Sequence, residues 1–499
     1  LLLVVGGTVK TTWERWSEKR QWIASLPEPA AGAPNILLII LDTVRGVSLD
    51  VLGDGLASAS RWDPIRTPTL EELARESVVF RKAMAPSPWT LPSHASMFTG
   101  RWPNLHGGGR AMAVEWTGSL GPEYPTIAEV LRRRGYFTAG FVGNLVFTSR
   151  ETGLARGFIT YEDYTRSLGQ VVLSCALGRR FSQIRLWRKL VGYHDTLNRK
   201  DAATVTDQFL RWHRGRDDRP YFALLNFFDA HEPFFPPDSV KEALPPGSHW
   251  DRFEHFVGLL TGATAWRTRK WEMNPPEQTA YAAGYREGIL QADRELGRLL
   301  EELGSRGEME NTIIIVASDH GEQLGEHRLY NHNNSLYLPL LHVPLLIRDP
   351  REEPARRAVD EVVSLRDLGS TIVELAGIDP GPRGIQGRSL SRYWQPRPTG
   401  EDGSPLPLEP DTIFATLNRG AIDQSWYPVV LGPTMFSLTD SLYHYIRNGD
   451  GTEELYDLRS DAAELNDLAE AESSAAVLVG FRETLRSMVG PLPEAPSER

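Results

Sequence analysis

The stretch NILLIIL, residues 35–41, decides the fold of this chain. A short, continuous run of apolar residues is typical of a strand that helices cover on both faces, as in a parallel sheet. Four further runs of this kind follow it: FTAGFV (137–142), YFALLNFF (221–228), TIIIVAS (312–318) and VPLLI (343–347). Helical stretches alternate with these runs. The sequence therefore predicts an α/β layered domain with a central, mostly parallel sheet.

Apolar residues spaced by three and four positions predict the helices between the strands. These helical stretches are TPTLEELARESVVF (67–80), TIAEVLRRRG (126–135) and AYAAGYREGILQADRELGRLLEELGSRG (280–307). Beyond a proline-rich run at residues 394–411, the runs TIFATL, SLYHYIRNG and ELYDLRSD predict a small antiparallel sheet, followed by a C-terminal helix.

Composition excludes several function classes. The 499 residues carry a formal net charge of -11, which provides no overall positive field for a nucleic acid, so we expect no nucleic-acid partner. The single cysteine, Cys175, excludes an internal disulfide and a thiolate metal cage. Two segments interrupt the α/β rhythm, at residues 166–214 and 235–278. They are interpreted as insertions, either lining a substrate cleft or elaborating the surface.

Polar residues follow three of the predicted strands at the point where each strand ends. Asp42 follows the first run, Asp229 and His231 follow the third, and Asp319 and His320 follow the fourth. Ligands of open α/β sheets bind at these carboxyl ends. Each aspartate alone could cap a helix, but carboxylates with an imidazole suit a divalent cation, either zinc or manganese, or calcium if more oxygen ligands are added.

The stretch PSPWTLPSHASMFTG, residues 86–100, contains a candidate nucleophile. Pro92 suits the first turn of a helix, which predicts that Thr90 lies just before a helix N-terminus, where backbone amides favour an anion such as sulfate or phosphate. A threonine hydroxyl is a weak nucleophile unless a base or metal activates it, and a cation at the strand ends would do so. Ser93 and His94 fall on the first turn, from which His94 could contact the bound anion. Alternatively, Thr90 is only a helix cap.

Five separated motifs within residues 34–468 resemble those of the sulfatase family in the alkaline phosphatase superfamily. They are PNILLIILDTVR, APSPWTLPSHASMFTGRWP, FFDAHEPF, SDHGEQLGEH and the C-terminal EELYDLRSDAAELNDLA. The resemblance implies an alkaline-phosphatase-like fold in which Asp42, Asp319 and His320 ligate a divalent cation together with Thr90 at the nucleophile position. It places His231 and His332 where the family binds the substrate anion or, in two-metal relatives, a second metal. Arg45 and Asn144 are weaker candidates for contacts with the anion or a ligand.

The chain also departs from the family pattern. Sulfatases proper use a formylglycine made from Cys or Ser, with Pro two and Arg four residues later, whereas this chain has Thr90, Pro92 and His94. Threonine cannot yield that aldehyde, so direct attack by the Thr90 alkoxide is what remains. Thr43 and Val47 stand where many relatives carry further acids. This set also resembles the superfamily's phosphodiesterases and phosphoethanolamine transferases.

These observations predict a metal-dependent hydrolase of sulfate or phosphate esters. The alternatives are a membrane-associated phosphoryl-group transferase and a non-catalytic protein that binds anions or glycans. We expect an N-terminal membrane-proximal or linker segment (1–33), a catalytic domain (34–390) and a small C-terminal subdomain (391–499). Tryptophans interleaved with basic residues in TTWERWSEKRQW, residues 11–22, are typical of a membrane interface or of a surface helix. The corresponding expectation is an extracytoplasmic location, in the periplasm or cell envelope, either with or without a membrane anchor.

Overall fold

A computed structural model describes most of the chain. The described residues are 21–53, 56, 62–108, 118–164, 199–232, 234, 273–352, 357–379, 384–396, 399, 408, 411–418 and 434–492. The tryptophan-rich segment lies almost entirely outside them, as do residues 166–198 and 235–272 of the two predicted insertions.

The described strands form three sheets. In chain order they are β1 (Asn35–Leu41), β2 (Val78–Met84), β3 (Phe137–Val142), β4 (Thr160–Glu162), β5 (Tyr221–Phe227), β6 (Thr312–Ala317), β7 (Gln323–Leu324), β8 (Tyr330–Asn331), β9 (His342–Arg348), β10 (Arg357–Ser364), β11 (Ile413–Asn418), β12 (Thr434–Thr439), β13 (Tyr443–Arg447) and β14 (Glu453–Asp457). The main sheet has the order β10-β2-β9-β6-β1-β5-β3-β4, with β1 between β5 and β6. The order β11-β12-β13-β14 gives a separate antiparallel sheet, as predicted, and β7 and β8 form a short hairpin.

Helices cover both faces of the main sheet. They are α1 (Pro68–Ala74), α2 (Thr90–Thr99), α3 (Pro103–His106), α4 (Ile127–Arg132), α5 (Ala202–Arg214), α6 (Pro275–Ser305), α7 (Leu338–Leu341) and α8 (Leu368–Leu375), with α9 (Ala475–Val489) beside the smaller sheet. Alternate residues of β1 join different cores: Ile36 and Leu38 pack with residues of α2 and α8, while Leu37 and Ile39 pack with residues of α5 and α6. This two-sided burial explains why β1 reads as a continuous apolar run.

The prediction of an α/β fold is confirmed, and β1 and β3 have the predicted bounds. Two local predictions are wrong. The strand at 343–347 is not parallel: β9 pairs antiparallel with both β6 and β2, because the connection from β6 returns through the β7–β8 hairpin and not through a crossover helix. The helix predicted over 67–80 ends at Ala74, and Val78 begins strand β2. The bulky and β-branched residues at the start of β2, Val78, Val79 and Phe80, suit a buried strand.

Parts of both predicted insertions belong to the core architecture. Residues 202–214 form α5, whose Val205 and Phe209 are fully buried against the sheet. The long helix α6 begins at Pro275, five residues before the predicted start, where Asn274 and Glu277 form a capping box. The sequence predictions also missed β4, β10 and β12.

Candidate active site

Adjacent parallel strands bring the predicted metal ligands together. Asp42 directly follows β1, and Asp319 and His320 follow the neighbouring β6; the three side chains have no exposed surface. The Nε2 atom of His320 lies 3.5 Å from Oδ2 of Asp319 and 3.9 Å from Oδ1 of Asp42. Among the described residues, this is the one group of three such side chains whose ligand atoms all lie within 4.8 Å of one another.

The hydrogen bonds of this group fit a cation. His320 donates from Nδ1 to the carbonyl oxygen of Gly321, which leaves Nε2 as an acceptor that faces the carboxylates. Oδ1 of Asp42 and Oδ2 of Asp319 are buried and accept no hydrogen bond. Three acceptors that converge without a proton between them repel one another, whereas a divalent cation would satisfy all three.

Electrostatics support the same conclusion. Burial, with a contribution from Asp319, raises the pKa of Asp42 to about 8. Burial also raises the pKa of Asp319 to about 7 and lowers the pKa of His320. Both carboxylates therefore require a positive partner to remain ionised at neutral pH.

Thr90 is the first residue of α2, with Trp89 at the cap position, so the helix begins earlier than predicted; Thr90 lies beside the group of Asp42, Asp319 and His320. Its Oγ1 is 3.3 Å from Nε2 of His320. Two further residues of the first turn support the site: Ser93 donates from its hydroxyl to the carbonyl oxygen of Asp319, and His94 donates from Nδ1 to the carbonyl oxygen of Thr90. The same Nδ1 is 3.4 Å from Oδ2 of Asp319, so His94 contacts both Thr90 and Asp319.

Two asparagines orient Asp42 and Thr90. Asn144, at the end of β3, directs its Nδ2 at Oδ2 of Asp42 and at Oγ1 of Thr90, each at 3.3 Å. Asn226, within β5, donates to the same oxygen of Asp42 at 3.2 Å and accepts from the backbone N–H of Asn144. Sequence reasoning missed Asn226, although a single amide within an otherwise apolar strand was a usable signal.

His231 and His332 lie together at the partly exposed side of the group. Their rings are 4.9 Å apart, and the ring of His332 is 4.7 Å from that of His320. His231 stacks on Phe228 with ring centroids 4.1 Å apart. Asp229 does not join them, because its carboxylate accepts a hydrogen bond from the backbone N–H of Ala202 at the start of α5.

Thr43 and Arg45, which follow Asp42, face other partners. Thr43 adopts a left-handed backbone conformation with φ of 62°, and its hydroxyl lies 2.8 Å from the carbonyl oxygen of Ala230. The guanidinium of Arg45 is fully buried and pairs with Glu326 at 2.8 Å. Thr43 is therefore a backbone support beside Asp42, and Arg45 anchors the β7–β8 hairpin.

None of the helices in the described part of the chain combines the length and the apolar character of a membrane span.

The chain is similar to sulfatases along most of its length. The model of the Sulfatase family matches residues 34–378. The arylsulfatase of Clostridium perfringens (strain 13 / Type A) is 25% identical over 483 residues, covering 88% of this chain and 91% of the relative. Arylsulfatase K of Homo sapiens is 26% identical over 470 residues, covering 88% and 80%. The crystal structure of the phosphonate monoester hydrolase of Agrobacterium radiobacter has the same fold, with a TM-score of 0.66 and 22% identity, covering 91% of this chain and 95% of that chain.

Proposed function

The chain belongs to the sulfatase family, and on that premise we propose that it hydrolyses sulfate or phosphate esters with Thr90 as its nucleophile. The observation that carries this proposal is the convergence of the Thr90 hydroxyl with the buried, unsatisfied oxygens of Asp42 and Asp319 at Nε2 of His320. A helix cap alone does not require such a group. A non-catalytic anion-binding protein would not require a nucleophile beside it.

Asp42, Asp319 and His320, with Oγ1 of Thr90, would hold the divalent cation. Two carboxylates, one imidazole and one hydroxyl suit zinc or manganese better than calcium, which takes six to eight oxygen ligands. Thr43 adds no side-chain oxygen, since its hydroxyl contacts Ala230. When bound, the cation would act as a Lewis acid and favour the ionised form of the Thr90 hydroxyl.

Thr90 and the side chains around it have separate roles in the proposed reaction. Oγ1 of Thr90 attacks sulfur or phosphorus in line, the ester bond breaks with its electron pair on the leaving oxygen, and a covalent Thr90 ester results. Asn144, whose amide nitrogen lies within reach of Oγ1, keeps the attacking oxygen oriented and stabilises its ionised form by donating a hydrogen bond. The N-terminus of α2 favours the anionic group. His231 and His332 bind that group or assist the leaving oxygen, and water then releases the product.

The test compares Thr90→Ala and Thr90→Ser with the wild type on 4-nitrophenyl sulfate, 4-nitrophenyl phosphate and bis(4-nitrophenyl) phosphate, each protein loaded with zinc or manganese. The alanine variant should lose at least about 1,000-fold in kcat, while the serine variant, which keeps a hydroxyl, should retain measurable turnover. Thr99→Ala is the matched control. Thr99 ends the same helix, and its buried hydroxyl donates only within that helix, to Ala95.

Each result has a defined meaning. Loss of turnover in Thr90→Ala with activity retained in Thr99→Ala supports the proposal, and the ester that reacts identifies the substrate class. Equal activity of the wild type and Thr90→Ala would overturn it. Added glycerol or ethanolamine tests the transferase alternative, because a transferase would form the corresponding ester faster than it releases inorganic sulfate or phosphate.

A further inference from the structure

Glu322 is a fully buried carboxylate that the proposed reaction does not use. It follows His320 by two residues, and its Oε2 lies 3.2 Å from Nδ1 of His332. Its other oxygen, Oε1, is buried without a hydrogen-bond partner. The nearby guanidinium of Arg45 pairs with Glu326 and donates to the backbone carbonyl of Glu322. Burying a carboxylate is costly, so its pairing with a histidine at the site requires an explanation.

The backbone conformation on both sides of His332 holds this side chain in its position at the site. The residues on either side, Asn331 and Asn333, both adopt left-handed conformations, with φ of 70° and 63°. The side-chain oxygen of Asn331 accepts a hydrogen bond from the backbone N–H of His332 at 2.6 Å. Two further left-handed residues, His327 and Arg328, lie in the same hairpin. Strained backbone of this kind clusters at functional sites.

We propose that Glu322 is a positioning residue for His332: it accepts a hydrogen bond from Nδ1, fixes the tautomer and ring orientation, and directs Nε2 at the leaving oxygen of the ester. This inference rests on the proposed function and deepens it, because it assigns proton transfer to one of the two candidate histidines. A carboxylate that accepts from one ring nitrogen orients the imidazole and stabilises its charged form, as in the Ser-His-Asp arrangement.

His231 lacks a comparable partner for its Nδ1. That nitrogen donates to the backbone carbonyl of Glu232, a neutral acceptor, at 2.7 Å. Burial lowers the pKa of His231 to about 3. A neutral ring that keeps its proton on Nδ1 offers Nε2 only as an acceptor, so His231 has no proton to give to the leaving oxygen, whereas the ring of His332, beside Glu322, is supported for carrying a positive charge.

The proton that His332 gives up when the Thr90 ester forms is regained when that ester is hydrolysed. When Thr90 attacks, the ester bond breaks, the leaving oxygen keeps the electron pair, and it takes the proton from Nε2 of His332. The neutral ring then accepts a proton from water at Nε2 while the water oxygen bonds to sulfur or phosphorus and the bond to Thr90 breaks. His332 ends protonated, as it began, and the Nδ1 proton stays with the Glu322 hydrogen bond throughout.

The experiment compares Glu322→Gln with the wild type on two esters of the reactive class, one with 4-nitrophenol and one with unsubstituted phenol as the leaving group. The variant should lose about 100-fold in kcat on the phenyl ester and less than about 3-fold on the 4-nitrophenyl ester, because a good leaving group needs little protonation. His332→Gln should show the same selective loss, and the double variant should lose no more than either single one. Bound metal per protein should be unchanged.

Glu464→Gln is the matched control, since Glu464 is a buried carboxylate that pairs with His444 beside the smaller sheet. It should leave the ratio of the two rates unaltered. Equal losses on both esters, or no loss, in Glu322→Gln would overturn the inference. If that variant does not fold, His332→Gln decides alone: no selective loss on the phenyl ester overturns the inference. None of these results bears on the proposed role of Thr90, which would be overturned only if Thr90→Ala remained active.

Discussion

The side-chain amide of Asn144 lies 3.3 Å from the hydroxyl oxygen of Thr90, and both residues are buried. Asn144→Ala removes this contact together with the hydrogen bond to Asp42. We expect kcat to fall about 100-fold, the cost of losing one well-placed donor at a reacting centre, with a smaller change in KM. Steady-state kinetics on the most reactive nitrophenyl ester would measure this. Asn448→Ala removes a buried amide that donates to Glu454 beside the smaller sheet and should leave kcat unchanged.

Metal removal should destabilise the fold. A ligand present at about 1,000 times its Kd stabilises the folded state by about 4 kcal/mol, so a chelator should lower the Tm of the loaded protein by several degrees. Asp319→Asn should abolish this response, because the substitution removes one ligand of the buried group. Asp293→Asn provides the comparison: Asp293 accepts from backbone N–H groups at the start of α1, so its loss lowers Tm with and without chelator alike. An unchanged chelator response in Asp319→Asn would contradict the site.

His106 should make the fold sensitive to acid. Burial lowers the pKa of this histidine to about 3, whereas an unfolded histidine has a pKa near 6.5. Between these values the unfolded state binds the additional proton, so the free energy of unfolding falls as the pH falls from about 6.5 towards 3. At pH 5 the loss is about 2 kcal/mol. In His106→Gln the difference between pH 8 and pH 5 should shrink by about this amount in denaturant unfolding. The difference between the two proteins in the free energy of unfolding at pH 8 gives the effect of the substitution itself.

Gly288 determines how closely α6 approaches the loop that carries His231. A Cβ atom at this position would lie 2.3 Å from the backbone oxygen of Asp229. Gly288→Ala should therefore destabilise the fold by about 1–3 kcal/mol and lower activity, because the loop must move. Gly304 lies near the end of the same helix, where a Cβ atom would lie 3.8 Å from Cγ of Met309 and would therefore fit. Gly304→Ala should stabilise the fold by about 0.5–1 kcal/mol. Thermal unfolding and activity of the pair would separate helix propensity from packing.

The sequence allowed the α/β class, the strands of the sheet centre and the clustering of Asp42, Asp319 and His320 to be predicted, because each depends on a local signal. The continuous apolar run of β1 indicates a strand that is buried on both faces, and Asp42 directly after it indicates where the strand ends. The direction of β9 was not predictable in this way, since it depends on how the chain returns from β6. Asn226 left a local signal, a lone amide in an apolar strand, but its partners Asp42 and Asn144 become neighbours only after folding. Glu322 was missed because its contact with His332 depends on how the β7–β8 hairpin folds back.

The cation site also bears on how long the folded protein lasts. Asp42 and Asp319 are far apart in sequence, but they follow adjacent strands, β1 and β6, at the centre of the sheet. A shared cation would cross-link these strands in the same way as a long-range disulfide, so separating β1 from β6 would require losing the ion first. The loaded protein should therefore be kinetically stable, with an unfolding rate set by metal release, and a protease should cleave it slowly until a chelator removes the ion.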